Sequence, residues 1–223
     1  MSVVGMQNVK LVSCSSNDVL NDIAYTARVS NPSNQNNRKT SEKLVRYLIK
    51  HGHWSPFEMV SATLEIETTR DIARQMIRHR SFAFQEFSQR YAEVGDLGAP
   101  MFKEARGQDP KNRQNSIRLP DGILHEEWRS KQESVWEAAK SAYDWAIKQG
   151  MAKEQARAVL PEGITPSRLY MAGTIRSWIH FVKLRSGNGT QLEHSRVAVE
   201  CAEALSDIFP MIVEFVDGAY VPE

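Results

Sequence analysis

"RHRSFAFQEFSQRY", residues 78–91, sets Arg78, His79, Arg80 and Arg90 among Phe82, Phe84, Phe87 and Tyr91. Rings of this kind favour burial, and the cations between them do not. Glu86 and Ser88 place an acceptor and a hydroxyl between Arg80 and Arg90, in a chain whose formal net charge is only +1. Residues 70–90 also hold Arg70 and Arg74 and contain no lysine, although lysine and arginine together number 28 in the chain. Arginine's rigid fork grips phosphates and carboxylates bidentately, which lysine cannot do. The local bias points to oriented recognition of an anion.

Just upstream, Val60, Ala62, Leu64 and Ile66 alternate with Ser61, Thr63, Glu65 and Glu67, the period of a half-buried strand. Thr68 or Thr69 then caps a predicted helix "RDIARQMIRHR" (70–80), with Ile72, Ala73, Met76 and Ile77 inward and Gln75 and His79 on one face. Further out, Asn17 is placed to cap a helix to about residue 28, and Ser41–Lys50 forms another with Leu44, Tyr47 and Leu48. Residues 95–122 read as a long polar insertion without period. A long helix to about Gln149 follows, with Trp128, Trp136, Ala139, Tyr143 and Ile147 along its apolar side. "KEQARAVLPEG" (153–163) is a short helix, "SRLYMAG" (167–173) a strand, and "TIRSWIHFVKLR" (174–185) a helix. A turn at "SGNGTQLEHS" leads into a last helix carrying Val197, Cys201, Leu205, Ile208, Ile212 and Phe215. With no repeat and no linker, the pattern is one helix-rich α+β domain over residues 1–223.

Composition excludes several classes. The 223 residues suffice for a substantial core, and no apolar run approaches the length of a membrane span. The N-terminal "MSVVGMQNVK" lacks the charge and apolar length of a secretory signal, so the expected location is the cytoplasm. Cys14 and Cys201 have no CxxC spacing and read as ordinary thiols, and His51 and His53 lack further ligands for a metal. Neither GxGxxG nor GxxxxGK[ST] occurs. Ser88 as a nucleophile with His79 as base lacks the GxSxG setting; a hydroxyl donating to an anion is the better role. On these grounds alone the segment is a small phosphate-ligand site. Its main rival is an RNA-binding patch, disfavoured by the near-zero net charge.

The same residues resemble the signature of the flavin-dependent thymidylate synthases, Arg-His-Arg, seven residues, then Ser: Arg78, His79, Arg80 and Ser88, with Glu86, Arg90 and Tyr91 completing it. "ARVS" (27–30), "HGHWSPFE" (51–58), "NRQNS" (112–116), "EQARAVLP" (154–161) and "IRSWIHFVKLR" (175–185) resemble further family blocks in order. Departures fall at Ala83, Gln85, His180 and Gly189.

The resemblance implies the thymidylate synthase-complementing fold, helix-rich around a small curved, mainly antiparallel sheet. It also implies a homotetramer with active sites at subunit interfaces, and no nucleic-acid or membrane partner. The implied reaction is reductive methylation of dUMP, with 5,10-methylenetetrahydrofolate as carbon donor and NADPH reducing FAD. Residue by residue it implies dUMP contacts at Gln75, Arg78, Glu86, Ser88, Gln89, Arg90, Arg157 and Arg185. Arg185 would be the catalytic group, stabilising ionised N3–O2 of the uracil. FAD would be held by Ser30, Ser55, Glu58, Arg78, His79, Arg80, Glu86 and Arg176. His53 and Tyr91 would border the folate and nicotinamide path. A related flavoprotein acting on another pyrimidine nucleotide is the alternative within the same fold.

Overall fold

The alternation at 60–67 becomes an inner strand of a four-stranded sheet. In the computed structural model residues 8–120 and 122–217 are described; residues 1–7, the start of the N-terminal stretch expected not to be a secretory signal, lie outside them. The strands are β1 (Asn8–Cys14), β2 (Ser61–Thr69), β3 (Ala83–Glu86) and β6 (Pro166–Thr174), in the order β1-β2-β6-β3, every pair antiparallel. A separate hairpin pairs β4 (Arg106–Gln108) with β5 (Ser116–Arg118). The helices are α1 (Val19–Ala27), α2 (Ser41–Lys50), α3 (Arg70–Met76), α4 (Ile123–Lys148), α5 (Lys153–Ala156), α6 (Ile175–Arg185) and α7 (Leu192–Ser206).

The sheet buries one face. Ala62, Leu64 and Ile66 of β2 and Leu169 and Met171 of β6 pack against Trp178, Phe181 and Val182 of α6 and Val197, Cys201 and Leu205 of α7. On the other face Tyr170 donates to Glu65 at 2.8 Å and Arg168 pairs with Glu67. Trp178 Nε1 donates to the Ala62 carbonyl at 3.1 Å, so the largest core ring also satisfies its one polar atom.

Several boundaries differ from the expected ones, each for a local reason. The helix expected over 70–80 ends at Met76. The His79 N–H turns back to the Met76 carbonyl at 3.0 Å, and the chain then enters β3, so Arg78 and Arg80 stand beyond the helix and exposed. Ile77 is likewise exposed rather than packed. Asp18, not Asn17, caps α1. β1 leaves no clear period in the sequence because a bulge between Leu11 and Ser13 breaks its alternation and turns Val12 outward. The insertion at 95–122 contains the β4–β5 hairpin, and its Gly107 lies under the Leu119 and Ile117 side chains. The last helix stops at Ser206; Pro210, unable to continue it, opens a 3-10 turn to Phe215. Tyr47, Tyr91 and Trp128, expected to be buried, are exposed. Among the described residues no helix is long and apolar enough to cross a membrane.

Gly173 marks the tightest approach in the sheet. A Cβ there would fall within the Phe82 ring, which is itself wedged 4.8 Å from Trp178. Gly173→Ala should therefore destabilise the fold by about 1–3 kcal/mol, the usual cost of overpacking. Urea unfolding measures this, and Phe82→Leu in the same chain should recover part of the loss. An unchanged midpoint would show that the ring moves freely.

Candidate active site

Two helix ends converge on His79. Thr174 caps α6 by accepting the Ser177 N–H at 3.2 Å, and the buried stripe Trp178, Phe181 and Val182 fixes the helix against the sheet. Arg185 follows Phe181 by four residues and so leaves α6 on the same face. There its Nε donates to Nε2 of His79 at 2.8 Å. The imidazole packs edge-on to Phe181, centroids 5.1 Å apart, and is 8% exposed. Burial first, then the charges of Arg185 and His180, pull its pKa down to about 4. His79 is thus a neutral acceptor, with its own proton on Nδ1.

Arg185 is in the complementary condition. Burial, then the nearby charge of Arg78, lowers its pKa from the ordinary arginine value, and among the described residues no carboxylate pairs with it. A guanidinium stays charged under such pressure. The result is a half-buried cation whose one hydrogen-bond partner among the described residues is neutral.

The remaining expected site residues fall into separate groups. Gln75 joins the His79 neighbourhood: its Oε1 lies 3.3 Å from His194 Nδ1 and its Nε2 donates to Gln191 at 2.8 Å. Glu86, at the end of β3, accepts from Ser167 at 2.7 Å and lies 3.5 Å from Arg70. Arg90 meets Glu154 at 3.1 Å, while the hydroxyl of Ser88 accepts the Arg90 N–H at 3.4 Å. Gln89 is buried and its Nε2 has no hydrogen-bond partner among the described residues, and Arg157 is half-buried where α5 ends. His53 lies on the surface in a ring cluster with Tyr47 and His51, and Tyr91 is 83% exposed.

A second locus is a cleft of about 550 Å³. Glu58 and Arg176 span its mouth at 2.6 Å, Thr174 donates to the other Glu58 oxygen at 2.9 Å, and Trp54, Phe215, His180 and Lys183 line it. Ser30 and Ser55 are exposed and do not line it. Exposed pairs such as Arg176–Glu58 and Arg90–Glu154 are worth about 0.2–1 kcal/mol, so a ligand phosphate displaces either carboxylate at small cost.

Lys183, Trp54, Gln191 and His194 had no place in the expected site. His194 was legible in principle: it shares a stripe with Ala198, Cys201 and Leu205 at steps of four, three and four, which implies burial of a polar ring.

This architecture, a neutral histidine against an uncompensated arginine beside a cleft carrying Arg176 and Lys183, suits the binding of anionic ligands. A family profile described as "Thymidylate synthase complementing protein" matches residues 10–211. A probable flavin-dependent thymidylate synthase of Paramecium bursaria Chlorella virus 1 is 49% identical over 195 residues, covering 87% of this chain and 89% of that protein. The flavin-dependent thymidylate synthase of Synechocystis is 46% identical over 190 residues, 85% of this chain and 86% of its own. Among solved structures, a UMP/dUMP methylase from Streptomyces cacaoi bound with 5-Br dUMP superposes with a TM-score of 0.81 at 29% identity, covering 94% of each chain. The chain belongs to the flavin-dependent thymidylate synthases, a family of methyltransferases.

The buried histidines make stability depend on pH. His79 and His194 have folded pKa values of about 4 and about 3, against 6.5 for an ordinary histidine. Below pH 6.5 the unfolded chain binds the extra protons, so this contribution is full above 6.5 and is lost as pH falls towards 4. Glu200 acts in the opposite sense: burial, then Glu203, raises it from 4.5 to about 7, so its contribution grows as pH falls through that window. Thermal unfolding should show Tm decreasing from pH 6.5 to 4, and Glu200→Gln should steepen the decrease. A Tm that is flat over this range in Glu200→Gln would contradict the assignment.

Proposed function

We propose that the chain converts dUMP to dTMP, taking the one-carbon unit from 5,10-methylenetetrahydrofolate, with NADPH as reductant and FAD as the flavin. The observation that carries this is the Arg185–His79 contact at 2.8 Å. Because His79 is an uncharged acceptor, it orients the guanidinium without neutralising it, and the full charge with its outer N–H donors remains for a ligand. Placed at the uracil edge, that charge stabilises the anion left when N3 loses its proton, and delocalisation from N3 enriches C5 in electrons. This supplies a nucleophilic C5 without a thiolate. Cys201 is wholly buried with its pKa raised by burial, which suits a core role.

Around that centre Gln75, Arg78, Glu86, Ser88, Gln89, Arg90 and Arg157 hold the nucleotide, with Ser88 and Arg90 at its phosphate. The cleft fits the flavin: Arg176 and Lys183 offer cations for a diphosphate, and Trp54 and Phe215 offer walls for flat rings. Glu58 and Arg176 would hold it there, and Ser30, Ser55, Arg78, His79, Arg80 and Glu86, which do not line the cleft within one chain, would reach the flavin from its rim or from another subunit. When bound, the flavin supplies the reducing equivalents that turn the transferred one-carbon unit into a methyl group. His53 and Tyr91 flank the approach of folate and nicotinamide. The Arg90–Glu154 and Arg176–Glu58 groups lie on different elements, and a homotetramer with interface sites would gather them.

The test is a dTMP assay with FAD, NADPH, methylenetetrahydrofolate and dUMP. Arg185→Ala should lower kcat at least 100-fold while the protein keeps its flavin. Retained turnover in that variant would remove Arg185 from the chemistry, and no dTMP from the unaltered protein would refute the function itself. The likeness to a UMP/dUMP methylase supports a second reading in which UMP is also accepted. Comparing kcat/KM for UMP and dUMP decides it, and a ratio near one would favour that reading.

A further inference from the structure

Gln75 is held at both ends of its carboxamide. Its Nε2 donates to Gln191 Oε1 at 2.8 Å, and Gln191 Nε2 donates to Glu193 Oε2 at 2.9 Å. On the other side Gln75 Oε1 lies 3.3 Å from His194 Nδ1. Glu193 stands 4.0 Å from Lys103 Nζ, which in turn meets Asp71 at 2.6 Å. Asp71 and Gln75 are one turn apart on α3, so the chain of contacts returns to the helix where it began.

The polarity of this chain is dictated from its charged end. A carboxylate only accepts, so Gln191 must turn its NH₂ to Glu193 and its oxygen to Gln75. Gln75 must then turn its own NH₂ to Gln191 and its oxygen to His194. His194 is left to donate from Nδ1, and its Nε2 must be a bare lone pair. That atom is buried and among the described residues meets no acceptor that would call for a proton there, which is compatible with this tautomer. The ring is fully buried and is held neutral by burial first, then by Arg185 and His79.

We infer that Gln191 and His194 are positioning residues for nucleotide binding, locking the Gln75 carboxamide in one orientation so that a fixed donor and a fixed acceptor face the ligand. A free carboxamide exchanges donor for acceptor by a half-turn, and only one of the two orientations matches a given base or sugar edge. The inference rests on the proposed contact between Gln75 and dUMP.

Two measurements separate it from that proposal. The first needs no substrate: ¹⁵N NMR of ring-labelled histidine in the flavin-loaded protein should show His194 protonated at Nδ1 and bare at Nε2. A proton on Nε2 would overturn the inference. The second is kinetic. Gln191→Leu and His194→Leu should each raise the KM for dUMP about tenfold, with kcat changed less than twofold. His194→Asn, which restores a donor near the Nδ1 position, should return KM most of the way to the parent value. Unchanged KM in both leucine variants would also overturn it, and if His194→Leu does not fold, Gln191→Leu decides alone. A parent protein inactive on dUMP would refute the proposed function, and the tautomer result would then decide this inference.

Discussion

One hydrogen bond, from Arg185 to His79 at 2.8 Å, sets the terms for the rest of the site. Histidine accepts a proton-bearing donor at Nε2 only while neutral, and neutrality here is enforced by burial against Phe181. Phe181 is held by Trp178, and Trp178 by the Ala62 carbonyl of β2. The strand that the alternation of Val60 to Ile66 announces is therefore the floor on which the protonation state of His79 rests. Had an aspartate taken the place of His79, Arg185 would be fixed in position but neutralised, and its charge would be spent before a ligand arrived.

The arginines divide by this criterion. Arg176, Arg90 and Arg168 all face carboxylates, in exposed pairs of small energy that a phosphate can replace. Arg185 faces a neutral ring and is half-buried, where Coulomb interactions are stronger than at the surface. The first kind suits binding of phosphates. The second suits stabilising charge that develops during a reaction. Both kinds lie in a chain of near-zero net charge, because the acidic partners of the first kind cancel them until a ligand competes.

Much of this was legible in the sequence. The β2 alternation and the extents of α2 and α6 follow from side-chain period and residue type, and the arginine bias of residues 70–90 is plain from residue type alone. What was not legible depends on tertiary contacts. Helix α3 stops at Met76 because the chain must feed Phe82 against Gly173 and form β3, and neither requirement leaves a mark within "IRHR". β1 hides behind one bulge. The Gln75–Gln191–Glu193 chain links positions more than a hundred residues apart, so each amide looks like surface until α3 and α7 meet. Tyr91 shows the opposite failure: its ring suggests burial, yet in the folded chain it faces solvent.

The central claim is that the uncompensated charge of Arg185 stabilises the uracil ionised at N3, so that the bound base gives up its N3 proton to solvent. It is tested most directly by NMR of dUMP labelled with ¹⁵N at N3, bound to the FAD-loaded protein at neutral pH. The predicted spectrum shows N3 without an attached proton, and with Arg185→Ala the N3–H coupling returns. A bound nucleotide that keeps its N3–H coupling in the unaltered protein would contradict the claim.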